Sequence, residues 1–231
     1  MLIHSMSLKN KVVVITGASK GLGRALAVVL CKEGTRVIIN ARSKKEIEKA
    51  AKEIGAVPFA GDVTREVDMK ALARFALKKF NSIDIWINNA GIAIPHGPIE
   101  DIDPEGAHRM MEVNFFGTFY GSRAVMGIMK KRKRGTIINI VSISALAGRP
   151  FSAAYSASKW AARGFTESLR MALGPEGVRV IAVHPGGIKT TIFGAFKPAG
   201  YDGWMEPEHV AQKIMKNLKR LKPRAELVIK K

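Results

Sequence analysis

Tyr155 and Lys159 stand four residues apart in IVSISALAGRPFSAAYSASKWAA, residues 140–162. On a helix that interval brings both side chains to one face, about 5–6 Å apart at Cβ. An ammonium group beside a phenol favours the phenolate, so the spacing predicts a Tyr155 pKa below the ordinary value of about 10. A tyrosine tuned in that way can give or take a proton near neutral pH. Ser142 lies thirteen residues before Tyr155, at the end of the apolar run 136–141, which reads as a buried strand. A strand end facing the helix would set a hydroxyl beside the phenol. The Tyr–Lys pair is weak by itself: three Tyr and 23 Lys in 231 residues give about 0.3 such matches by chance. Its weight depends on whether the rest of the chain builds a nucleotide site.

The elements before it do so. Residues 11–16, KVVVIT, form a β-branched apolar run that leads into Gly17-Ala18-Ser19-Lys20-Gly21-Leu22-Gly23 and then a helical face of Leu22, Ala25, Leu26, Val29 and Leu30. Strand, glycine loop and helix in this order suit a phosphate: the loop lets backbone N–H groups approach, and the helix N-terminus adds about half a positive charge. A second strand, 36–41, ends at Ala41 and is followed by Arg42. A dinucleotide fold usually carries an acid there to hold the ribose 2′-OH. Here no carboxylate repels a 2′-phosphate, and the Arg42 guanidinium, with Lys20 nearby, can bind one. NADP(H) is therefore expected over NAD(H); the alternative is that both cations belong to a generally basic surface.

Further strands are expected at 57–60, 83–87, 136–141, 178–184 and 225–229, alternating with helices over 104–132, 153–173 and a last one opening at Glu206-Pro207-Glu208 with Val210, Ile214, Leu218 and Leu221 on its face. Such alternation predicts a doubly wound α/β Rossmann fold, a mainly parallel sheet of about seven strands with helices on both faces, in a single domain over 1–231. Ligands bind at the carboxyl ends of the strands in these folds. Those ends carry Gly17, Asp62, Asn88, Ser142 and Pro185. Asp62 could hydrogen-bond an adenine or cap the next helix. Residues 191–205, aperiodic and rich in Gly and aromatics, read as a substrate lid, and a loop containing Pro95, Gly97 and Pro98 leads into the helix over 104–132. Phe193, Phe196, Trp204, Leu146 and Phe151 would line an apolar pocket or simply pack that lid.

Composition narrows the class. One Cys excludes an internal disulfide, and no run approaches the ~20 apolar residues of a membrane span. With no leader visible at Met1–Met6, a cytoplasmic, soluble chain without membrane partners is expected. The five His show no metal spacing, so no metal is expected. A net charge of +19 invites an anionic partner. The cluster Lys130–Arg134, however, is explained by the C-terminus of a helix, and no nucleic-acid reader motif is present.

TGASKGLG, NNAG, Asn114, Ser142, Tyr155-x-x-x-Lys159 and PGGIKT, in this order over about residues 9–191, resemble the short-chain dehydrogenase/reductase family. The resemblance implies a nicotinamide cofactor and carbonyl–alcohol interconversion on a small molecule. It makes Tyr155 the proton donor or acceptor and gives Ser142 the substrate oxygen. Lys159 would lower the tyrosine pKa and hold the nicotinamide ribose, and Asn114 would support a water in a proton relay. Gly17, Ser19, Lys20, Gly21, Leu22, Gly23, Arg42, Asp62, Val63, Asn88, Ala90, Gly91, Pro185, Gly186, Ile188 and Thr190 fall at cofactor positions, with Ser144, Phe193 and Trp204 toward the substrate. The family's dimer uses the helices at 104–132 and 153–173, so a homodimer or homotetramer is implied. A member that binds cofactor without chemistry, as a regulator, is the alternative.

Overall fold

The computed structural model describes residues 6–94, 97–194, 197–198 and 200–231. Pro95 and Phe196, and the first five residues of the N-terminal stretch, lie outside the described residues. Seven strands form one sheet: β1 (Val12–Thr16), β2 (Arg36–Ala41), β3 (Val57–Ala60), β4 (Ile85–Asn88), β5 (Gly135–Ile140), β6 (Val178–Pro185) and β7 (Glu226–Ile229). Their order is β3-β2-β1-β4-β5-β6-β7, and every pairing is parallel. The expected fold is thus borne out, with an entirely rather than mainly parallel sheet. The central strands read as continuous apolar runs because both faces are covered; β1 is buried at every position.

The helices α1 (Gly21–Lys32), α2 (Lys44–Ile54) and α7 (Pro207–Leu218) cover one face, packing Leu26, Leu30, Ile47, Val210 and Ile214 onto Val13 and Ile15. On the other face lie α3 (Glu66–Phe80), α4 (Pro104–Met111), α5 (Gly117–Lys131) and α6 (Ala153–Leu173), with Met69, Leu72, Val125, Met129 and Leu169 against Val14 and Trp86. Local chemistry sets the starts. Ser43 caps α2 by accepting from Glu46 N at 3.3 Å, and Asp103 caps α4 through both carboxylate oxygens ahead of Pro104. Leu221, expected on the face of the last helix, lies beyond its end and is 66 % exposed. The chain leaves the helix at Leu218, so the apolar period has no helix to continue on.

The expected long helix over 104–132 is interrupted. Glu112–Phe116 makes a π-turn between α4 and α5, in which Gly117 N donates to Glu112 O five residues back. Beyond it, Gly121 lies so close to the sheet that a Cβ there would meet Asn88 Oδ1 at 2.1 Å. The order β1-β4 marks the point where successive strands run to opposite sides of the start. The crevice opens there, outside the carboxyl ends.

Candidate active site

β1 delivers Gly17, whose φ of +64° is costly for any residue with a Cβ. A Cβ there would stand 2.6 Å from Ala90 Cα, so the glycine loop lies directly against the chain leaving β4. Thr16 holds the two together, its Oγ1 accepting from Asn89 N at 3.1 Å and Ala90 N at 3.2 Å. Asn89 Nδ2 donates to Thr16 O and Gly17 O, both at 3.0 Å. Gly23 packs behind this turn, where a Cβ would come within 2.5 Å of Asn89 Nδ2 and Gly17 O.

A cavity of about 1230 Å³ runs from this loop to the start of α6. That exceeds the ~300–1,000 Å³ that encloses a drug-sized ligand, leaving room for a dinucleotide and a second molecule. Of the expected cofactor residues, Gly17, Ser19, Lys20, Gly21 and Leu22 wall one end, with Arg42, Asp62 and Val63. Ala90, Gly91, Pro185, Gly186, Ile188 and Thr190 continue the wall toward Tyr155 and Lys159. Arg42 and Lys20 are exposed and make no ion pair to a described residue. Asp62 Oδ1 accepts from Thr64 N and Oγ1, both at 2.9 Å, a local turn rather than a cap on α3.

Asn88, expected at the cofactor, does not line the cavity. Its side chain faces the other way, accepting from Trp86 Nε1 at 2.7 Å and donating to Ser122 Oγ at 3.0 Å and Asn139 Oδ1 at 2.8 Å. Asn139 Nδ2 passes the chain to Thr166 Oγ1 on α6 at 2.8 Å. Strand alternation is the reason: Asn88 shares the face of Trp86, which packs toward α3 and α5. Asn89, one residue on, walls the cavity instead; the alternation of Ile85, Trp86 and Ile87 was the signal that could have found it.

At the far end Ser142, Tyr155 and Lys159 meet. Ser142 is buried, its Oγ accepting from Ser144 N at 3.1 Å, and its side chain lies by the Tyr155 phenol and pulls the phenol's pKa down. Lys159 is 3 % exposed; its Nζ donates to Ile140 O at 3.2 Å and lies 5.7 Å from the centre of the Tyr155 ring. The expected fall of the tyrosine pKa does not occur. Loss of solvent around the phenol pushes it up to about 12, against the downward pull from Ser142. Burial acts on both partners by disfavouring the charged form, so the same environment pushes Lys159 down to about 8.

Lys159 therefore weighs on stability with a definite sign. Between about pH 8 and its ordinary 10.5 the unfolded chain binds the proton that the folded chain has lost. Stability rises with pH across that window, and the full cost, about 3 kcal/mol, is present below it. Tyr155 acts oppositely, and only above pH 10. In urea melts, Lys159→Met is expected to exceed the wild type in stability at pH 7 by up to about 3 kcal/mol. The gap should close as the pH approaches 10; parallel profiles for the two proteins would refute the burial argument.

Asn114, at the centre of the π-turn and 1 % exposed, is a staple rather than a cavity wall. Its Oδ1 accepts from Ile92 N at 2.9 Å, and its Nδ2 donates to Ile92 O and Ser158 Oγ at 3.0 Å. Ser158 in turn donates to Tyr155 O at 2.7 Å. The Asn114 carbonyl accepts from Thr118 Oγ1 at 2.9 Å. Toward the substrate end, Ser144, Phe151, Phe193 and Trp204 line the cavity while Leu146 does not. Arg149, which the sequence reading passed over, also lines it. Among the described residues no cluster could hold a metal ion, and no helix is long and apolar enough to cross a membrane.

Comparisons with known proteins agree with this geometry. A family model described as short chain dehydrogenase matches residues 11–199. An uncharacterized oxidoreductase of Listeria monocytogenes is 35 % identical, the match covering 81 % of this chain and 78 % of the relative. Trans-4-hydroxycyclohexanecarboxylate dehydrogenase of Sinomonas cyclohexanicum is 36 % identical, covering 81 % and 76 %. Among solved structures, a 3-ketoacyl-(acyl-carrier-protein) reductase from Brucella melitensis, complexed with NADH, superposes with a TM-score of 0.89 at 29 % identity, over 96 % of this chain and 98 % of that one. With the parallel sheet, the glycine loop and the Ser–Tyr–Lys cluster at its carboxyl edge, the chain belongs to the short-chain dehydrogenase family of oxidoreductases.

Proposed function

We propose that this oxidoreductase is an NADP(H)-dependent carbonyl reductase acting on a small to medium, largely apolar substrate. The observation that carries the proposal is the meeting of Ser142, Tyr155 and Lys159 at one end of a cavity whose other end is the glycine loop. A bound nicotinamide would supply the hydride to the carbonyl carbon. Tyr155 gives its phenolic proton to the carbonyl oxygen, and Ser142 Oγ holds that oxygen as negative charge grows on it. Lys159, close to the phenol and positively charged at neutral pH, stabilises the phenolate left behind and offers Nζ to a ribose hydroxyl. Asn114 contributes by fixing Ile92 and Ser158, and through Ser158 the first turn of α6.

The cofactor reading rests on Arg42 and Lys20 at the cavity end where Ala41 replaces an acid. The two cations would take a 2′-phosphate, although the Brucella relative was solved with NADH. Cells generally keep the NADP pool reduced, so reduction is the proposed direction. Ile143, Phe151, Ile192, Phe193 and Trp204 give the substrate end an apolar wall, with Arg149 beside them. A cyclic ketone bearing a carboxylate suits that combination, in keeping with the Sinomonas relative's name. Exposed Trp160 and Met171 on α6 support a homodimer. The test is turnover of NADPH with a panel of aliphatic and cyclic ketones, each with and without a carboxylate. Turnover with the carboxylated cyclic members in front is expected; no turnover of any ketone, and none of the matching alcohols with NADP, would overturn the reading.

A further inference from the structure

Ser142 is held from behind by a side chain that the reaction does not use. Main-chain pairing of β5 with β6 runs to Ile140 opposite Val183, closed by Val141 N donating to Val183 O at 2.8 Å. The next rung would be made by Ser142, and there the side chain of His184 takes over. His184 Nδ1 lies 3.2 Å from Ser142 O, a carbonyl that also accepts from Ala145 N at 3.1 Å. Its Nε2 lies 2.5 Å from Glu226 Oε2 on β7. Glu226 Oε1 accepts from Arg170 Nη2 on α6, whose Nε donates to Val180 O at 3.1 Å.

The protons in this chain are fixed by its acceptors. A carbonyl can only accept, so Nδ1 carries hydrogen toward Ser142 O. Nε2, facing the Glu226 carboxylate at 2.5 Å, ties the far side of the ring to β7. The imidazole is 0 % exposed while Glu226 is 42 % exposed. A rigid ring thus spans from a solvent-accessible carboxylate to the backbone of the serine that contacts Tyr155. The carbonyl of Ser142 also closes the 3₁₀ turn Ile143–Ala145, and Ser144 N of that turn orients Ser142 Oγ. Pulling on this carbonyl therefore sets where the hydroxyl sits.

We propose that His184 is a positioning residue for the reaction: its Nδ1–H bond to the Ser142 carbonyl, anchored by Glu226, fixes the Ser142 hydroxyl against the Tyr155 phenol. The inference rests on the roles proposed above for Ser142 and Tyr155. Two near-isosteres separate the ring's two ends. In His184→Asn the amide nitrogen falls where Nδ1 was, keeping the bond to Ser142 O and losing reach to Glu226. In His184→Gln the amide reaches Glu226 and leaves Ser142 O without its side-chain donor. His184→Gln is expected to lower kcat about 10- to 100-fold, the cost of a catalytic group displaced by about 1 Å, with KM for both reactants within about twofold. His184→Asn should restore kcat to within about threefold of wild type.

Crystal structures of the two variants supply a readout independent of turnover: Ser142 Oγ should keep its place in the Asn variant and move in the Gln variant. An unmoved Ser142 Oγ in His184→Gln, undiminished kcat in that variant, or equal losses of kcat and Tm in both variants would overturn the proposal. If the wild-type protein turned over nothing, the proposed function would fail, while the position of Ser142 Oγ would still decide this inference.

Discussion

Tyr155→Phe is expected to lose at least about 1,000-fold in kcat, within the range that general acid–base groups contribute, while its Tm moves by less than about 5 °C. The substitution removes one oxygen and keeps the ring on α6. The ring's packing remains, and the lost interaction of the hydroxyl with Ser142 is of the kind worth about 1 kcal/mol at most. The catalytic loss is far larger because no other described group at that end of the cavity presents a proton to the position Ser142 faces. Lys159, 5.7 Å from the ring centre and donating to Ile140 O, holds the phenolate by charge and does not replace the phenolic proton. Binding of NADPH, followed by the change in its fluorescence, should survive, since the glycine loop is untouched. Turnover within tenfold of wild type would remove Tyr155 from the mechanism.

The second large effect concerns the cofactor. Ala41→Asp combined with Arg42→Ala should invert the ratio of kcat/KM for NADPH over NADH, shifting it by about 100- to 1,000-fold. One charge-assisted hydrogen bond contributes about 1.5–3 kcal/mol, and the new carboxylate adds repulsion toward a phosphate. Both positions line the cavity at the carboxyl end of β2, and residue 42 is exposed, so folding should be little affected. Wild-type preference for NADH, or an unchanged ratio in the double variant, would refute the reading of Arg42.

Much of this architecture was legible from one dimension of the chain. Strands such as Arg36–Ala41 and Val57–Ala60 fall where the apolar runs stop at Gly or polar residues, and the Tyr155–Lys159 interval becomes a shared helical face. What stayed hidden involves solvent or distant partners. The charges around Tyr155 can be counted from a sequence, but the exclusion of water that pushes the phenol up to about 12 exists only after packing. Asn88 and Asn89 are the same residue type in adjacent places, and only the strand's alternation decides which one faces the cavity. His184 and Glu226, 42 residues apart, meet because β6 and β7 are neighbours, and nothing local to either announces the other. The π-turn was foreshadowed only by an Asn in a poor place for a helix former.

That wide turn has a consequence for what the gene can tolerate. Each residue of an α-helix advances the side chains by about 100°. Glu112–Phe116 carries one residue more than a regular helix would use to cover the same rise. Shortening the stretch by a single codon would let a regular helix cover the same rise, keeping Gly121, Ser122 and Met129 toward the sheet but removing the bulge that sets Asn114 against Ile92 and Ser158. The extra residue is thus spent on the placement of Asn114, and a deletion there would leave the helix on the sheet while loosening the first turn of α6 behind the catalytic edge.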